Sequence, residues 1–173
     1  MEHTNHCIEV FWRTRQPNGR EADLSAEIAE LGIDRVGSVR ISDLTFIRGR
    51  LSTAETEHLA RALLVDPVVE GHRSWSGRTM RAVNVERSAA HGDELVVEVG
   101  YHPGVTDPVA DHLLCRTQML EMGSIDAVAT GTRYTFTGNL STSDLHRIAE
   151  EVVCNNVIQT YALPFAADLS APE

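Results

Sequence analysis

The stretch "VEVGYHPGVTDPVADHLL", Val97 to Leu114, gathers His102, Thr106, Asp107 and the backbone of Gly104 into one Pro-Gly turn. An apolar alternation precedes the turn, and Asp107-Pro108 reads as an N-cap followed by proline at the first helical position. That geometry aims free helix N–H groups outward, where they can hold an anion, and His102 beside Tyr101 could meet a substrate phosphate or a partner. A plain strand-to-helix connection explains the same residues. Earlier in the chain, "TRQPNGRE" carries a second Pro-and-Gly turn with Arg13, Arg15 and Arg20. Guanidinium forks match phosphate oxygens or an acidic patch, and a solvated basic loop is the alternative. "HTNHC" offers His3, His6 and Cys7 as metal ligands, but no fourth ligand is in view; it reads as a floppy terminus ahead of the first strand, with no metal assigned. A nucleophilic cysteine needs a histidine partner, and a nucleotide site needs a glycine-rich loop or metal-binding carboxylates. Neither pattern stands out, so no catalytic residue is assigned.

The elements that must position these residues occur twice. "LSTAETEHLARALLVDPVVE" begins at Leu51 and "LSTSDLHRIAEEVVCNNVIQ" at Leu140, 89 positions later. The same offset lays Ile8-Glu9-Val10 on Val97-Glu98-Val99, Leu24 on Leu113, Val39 on Val128 and Gly49 on Gly138. A shared internal period is the signature of a repeated unit. Each copy reads as a strand of period two, then a helix with an apolar stripe (Leu24, Ile28, Leu31; Val109, Leu113, Leu120). Two strands follow, Val36 to Ile41 with Thr45 to Arg48, and Ile125 to Thr130 with Arg133 to Thr137. A second helix starts in a capping box at Ser52/Glu55 or Ser141/Asp144, and a last strand runs Val68 to Arg73 or Val157 to Leu163. The order β-α-β-β-α-β is that of ferredoxin-like units. The expected fold is therefore α+β, with two tandem units whose open sheet faces pack face to face as a pseudo-dimer. The expected organisation is repeat 1 over 7–73, a linker over 74–93 with a short strand at Ala82 to Val85, repeat 2 over 94–163, and a tail over 164–173.

Composition narrows the function. The chain has 173 residues, 42% hydrophobic and 23% charged, which fits a folded domain. With 25 acidic against 15 basic side chains the net charge is −10, which disfavours nucleic acid as a partner. No apolar run is long enough for a membrane helix and the N-terminus lacks a signal-peptide pattern, so no membrane partner and a cytoplasmic location are expected. Three cysteines with no CxxC spacing read as free thiols. Cys115 and Cys154 fall at helix positions whose counterparts are Ala26 and Val65, which suggests small apolar contacts.

The Pro-Gly-Val-x-Asp turn of "VEVGYHPGVTDPVADHLL", together with the "VDPVV" and "CNNVI" entries into the last strands, is similar to the PurS family and to the PurS-like N-terminal region of long formylglycinamidine ribonucleotide synthases. The resemblance spans both copies, and its motifs are turns and caps. It implies a non-catalytic accessory or scaffolding role in de novo purine biosynthesis, within phosphoribosylformylglycinamidine synthase. There it would bridge the glutaminase and the ATP-dependent synthetase. It further implies no cofactor on this chain, with ATP, Mg and glutamine used by the partner subunits, and an intramolecular pseudo-dimer whose further homo-oligomerisation stays open. The chain departs from the family by being twice the length of a separate PurS while lacking the catalytic domains of the long form. A stand-alone ACT-like module that binds a small metabolite is the other expectation.

Overall fold

The computed structural model describes residues 4–14, 16–77, 94–120, 122 and 124–163. The elements run β1 Thr4–Trp12, α1 Gly19–Glu30, β2 Val36–Arg50, α2 Thr53–Leu59, β3 Glu70–Gly77, β4 Leu95–Tyr101, α3 Pro108–Met119, β5 Ser124–Gly138, α4 Thr142–Ile148 and β6 Gln159–Ala162. A single wide π turn extends α2 over Ala60–Leu64 and α4 over Ala149–Val153. An offset of 89 residues carries Gly19 to Pro108, Glu30 to Met119, Thr53 to Thr142, Leu64 to Val153 and Glu70 to Gln159.

Local chemistry sets the helix starts. Asp107 caps α3 by accepting from the Ala110 N–H, with Pro108 inside the first turn. Ser52 and Ser141 form the expected capping boxes with Glu55 and Asp144. Asn18 and Glu21 form a third box at α1. The helix ends also match: the Val65 N–H donates to the Ala60 carbonyl and the Cys154 N–H to the Ala149 carbonyl, each reaching back five residues.

All the described strands form one sheet, in the order β3-β1-β2-β5-β4-β6, with every pairing antiparallel. The α+β class stands, in an arrangement compatible with a ferredoxin-like type. Two expectations do not. The middle hairpin of each copy is a single 15-residue strand, since neither β2 nor β5 turns at its centre. The two β-layers are not stacked face to face but joined edge to edge through β2 and β5. The reason lies in strand length. β1 pairs with β2 only over Ser42–Gly49, and β4 with β5 only over Gly131–Phe136. The leading part of each long strand would leave its backbone groups unpaired, and each finds its partner in the other long strand. In that ladder Asp43 lies opposite Thr132. The register shifts at two places, leaving Gly37 on β2 and Asp126 on β5 unmatched.

The alternation brings Ile8 and Val10 of β1, Val39, Ile41 and Ile47 of β2, Val97 and Val99 of β4 and Phe136 of β5 to one face, where the helices pack. Two cores form there, and both mix the halves. One joins Leu24 and Ile28 of α1 and Val39 and Ile41 of β2 to Val97, Phe136, Leu145 and Ile148. The other sets Ile8, Val10, Leu59 and Ala60 against Ile47, with Ile125 and Val128 of β5 packed on it. The helix α1 therefore packs on β2 and on the π turn that extends α4, rather than on its own β1. Arg147 of α4 donates to the Leu31 carbonyl at the end of α1, at 3.3 Å.

Smaller corrections concern ends. β3 continues to Gly77, past the expected linker boundary at 74, while Val68 and Val157 lie in exposed turns before the last strands. The expected strand at Ala82 to Val85, the rest of the linker and the tail over 164–173 lie outside the described residues. So do His3 and Arg15. His6 is no floppy terminus: β1 starts at Thr4, and the His6 ring is buried. Cys7 and Cys154 are buried as small apolar groups, but Cys115 is exposed on α3.

Candidate functional site

The connection from β4 to α3 forms one wall of an open cleft of about 630 Å³. His102, Gly104, Thr106 and Asp107 all line it, so four of the sequence-designated residues come together. Gly104 has φ +84°, a left-handed conformation that the turn requires and that other residues adopt at a cost. The opposite wall is β5, at Val128 to Thr130, with Phe46 of β2 beyond it. Gly131 lets Phe46 lie there: a Cβ at Gly131 would meet the Val99 carbonyl oxygen at 2.8 Å and the Phe46 ring at 3.4 Å.

Asp107 fixes the geometry of the cleft. Its Oδ1 caps α3, while its Oδ2 accepts from the Thr130 N–H at 2.7 Å and the Thr130 hydroxyl at 2.8 Å. β4 pairs with β5 only as far as Gly131, so Thr130 carries the first N–H beyond the ladder and the carboxylate takes the place of a strand. The first half solves the same problem with a different residue. There β1 ends its pairing at Ser42, and buried Glu21 accepts from the next N–H, that of Ile41, at 3.0 Å, through Oε1. Its Oε2 accepts from the Asn18 N–H in the capping box.

His102 is half-buried, with Nε2 3.3 Å from the Asn156 carbonyl. Of the earlier turn's arginines, neither Arg13 nor Arg20 lines the cleft. Arg20 forks onto Asp43 at 3.2 and 3.3 Å, and that hydrogen-bonded pairing raises its pKa. Arg13 is exposed, its N–H bonded to the Val69 carbonyl. The segment is thus tied to the middle of β2 and to the turn before β3.

On the sheet face away from the helices lies a cluster that sequence reasoning missed. Arg133 of β5, nearly buried, donates from Nε to Glu98 of β4 at 2.9 Å and pairs through Nη1 with Glu9 of β1 at 3.0 Å. Arg73 of β3 reaches the same Glu9 carboxylate at 3.3 Å. The Arg133 guanidinium lies 5.8 Å from the Trp75 ring centre. Burial acts to lower the Arg133 pKa, but Glu98 and Glu9 outweigh it and hold the group above its ordinary value. Cys7, on the same face, is pushed up to about 12 by burial and stays a thiol. One signal was available: Glu9 and Glu98 are 89 apart, and both alternate with the apolar residues Ile8 and Val10 or Val97 and Val99 of their strands. What hid the cluster was Arg133, whose counterpart in the first half is Leu44.

Among the described residues no group of three or more His, Cys, Asp or Glu is arranged to hold a metal, and no helix is long and apolar enough to cross a membrane. Neither a protein-family model nor a curated protein matches this sequence.

Proposed function

We propose that the chain is two PurS-like units fused in tandem, acting as a cytoplasmic, non-catalytic accessory part of phosphoribosylformylglycinamidine synthase. It would hold the glutaminase and the ATP-dependent synthetase together. The observation that carries the proposal is the centre of the β2–β5 ladder. Asp43 faces Thr132, the residue 89 positions on, and the unmatched residues Gly37 and Asp126 are separated by the same interval. Two copies of one unit related by a local two-fold axis produce this pattern, the intramolecular form of a C2 dimer. The paired cores, matched helix bounds and matched π turns support the same reading. The turn and cap motifs that resemble the PurS family then supply the role.

The decisive assay is reconstitution with the glutaminase and synthetase of purine biosynthesis. Glutamine-dependent amidination should need this chain, while amidination driven by added ammonia should proceed without it. Equal glutamine-dependent turnover in its absence would remove the proposal. A second reading, a stand-alone small-metabolite sensor, is favoured by one observation, the open cleft at His102. It calls for ligand binding by the chain alone.

A further inference from the structure

We infer that the cleft between the β4–α3 turn and β5 binds a small organic cation, an amine carried on an apolar or aromatic body, rather than a phosphorylated ligand. The inference uses the 89-residue correspondence between the halves but not their proposed place in an assembly. The cleft is not simply what the fold leaves over. Its lining residues Gly100, Ala129 and Thr160 correspond to Phe11, Arg40 and Gly71 in the first half. There, the Phe11 ring lies so close over Gly71 that a Cβ would meet it at 2.9 Å. Arg40 stretches back to donate to the Trp12 carbonyl at 2.9 Å and stands 3.7 Å from Glu21. The place is filled by a ring and a guanidinium. In the second half, Gly100 and Ala129 leave it open, and Phe46 walls it from the neighbouring strand.

The charge of the opened space selects the ligand. Asp107 and Asp111 both line the cleft, and neither arginine nor lysine is among its lining residues. The carboxylates stand at the α3 N-terminus, so the anion-holding role expected of that turn is already occupied by the chain's own charge. Asp107 is committed to Ala110 and Thr130. Asp111, exposed and without an ion-pair partner among the described residues, is left to meet an ammonium. The hydroxyls of Thr106, Thr160 and Tyr101 add acceptors, and Phe46 adds an aromatic wall against which the ligand's apolar body can pack. A volume of this size suits a molecule of amino-acid or nucleobase dimensions.

The test titrates the whole chain with phenethylamine, phenylacetate and inorganic phosphate, followed by amide chemical shifts. Phenethylamine and phenylacetate share a body and differ in the sign of charge. The amine should saturate in the millimolar range, with shifts centred on residues 100–111 and 128–130. Asp111→Asn should weaken it about fivefold, the effect of one solvated charge pair. Ala129→Arg, which imports the first half's plug, should abolish it. The inference is overturned if phosphate or phenylacetate binds as well as the amine, if no probe saturates, or if Ala129→Arg leaves the amine's affinity unchanged. None of these outcomes alters the reconstitution assay, so the two proposals fail separately.

Discussion

Arg133 is the residue on which the sheet's two halves most directly depend. It sits one position from Thr132 at the centre of the β2–β5 ladder, and its guanidinium takes Glu9 from one half and Glu98 from the other. Replacing it with methionine leaves the buried Glu9 carboxylate with Arg73 alone, a change expected to cost about 3–5 kcal/mol in denaturant unfolding. Adding Glu9→Gln and Glu98→Gln should recover at least half of that loss, because the penalty comes from stranded charge. His6 supplies a pH dependence. Its Nδ1 is 2.7 Å from the Ser76 hydroxyl, its Nε2 has no hydrogen-bond partner among the described residues, and burial lowers its pKa against an opposing effect of the Gly49 backbone. The unfolded chain thus takes up a proton at His6 more readily than the folded one, so this group destabilises the fold as pH falls below the unfolded value of about 6.5. Unfolding free energy measured from pH 7 to pH 5 should fall through this residue, and His6→Gln should flatten that part of the profile. A profile unchanged by the substitution would remove the assignment. Neither residue's role was legible in the sequence. His6 looked terminal because Thr4 and Asn5 are polar, yet the strand begins there to pair with Gly49 and Gly77.

At the scale of elements, the helices and caps were legible because their causes are local. Asp107-Pro108, Ser52/Glu55 and Ser141/Asp144 each fix a start within four residues, and all three hold. The long strands were not legible, because what keeps β2 and β5 straight at Asp43 and Thr132 is the partner each finds in the other. The carboxylate ties at the ladder ends were half legible: Asp107 was identified as a cap, but its bond to the Thr130 N–H depends on where β4 stops. Asp107→Ala removes both the cap and the strand tie, and should destabilise by about 2–4 kcal/mol. Ser141→Ala removes only a cap and should cost about 1 kcal/mol. Similar losses for the two variants, read from chemical denaturation, would show that the strand tie contributes little. Glu21 carries the corresponding pair of duties in the first half, with a cap on one oxygen and Ile41 on the other.

For the whole molecule, the mixing of residues from both halves in each core matters more than the likeness of the halves. Leu24 and Ile28 share one buried core with Val97, Phe136 and Ile148 of the second half. Ile8 and Leu59 are packed by Ile125 and Val128 of the second half. The offset of 89 was readable in the sequence, but it says only that two units are alike, and each appeared able to close its own hairpin. The choice between closing it and sharing a strand is made by tertiary packing, since shared strands leave fewer unpaired edges and bury both α1 and α3. Neither half should then have a folded monomeric state. The direct measurement is to express residues 1–77 and 94–173 separately and examine each by sedimentation and circular dichroism, alone and mixed. The expected result is that each alone is unfolded or self-paired, and that mixing yields a one-to-one complex with a single cooperative unfolding transition. A folded monomer of either half, unfolding cooperatively without its mate, would contradict the interlocked architecture.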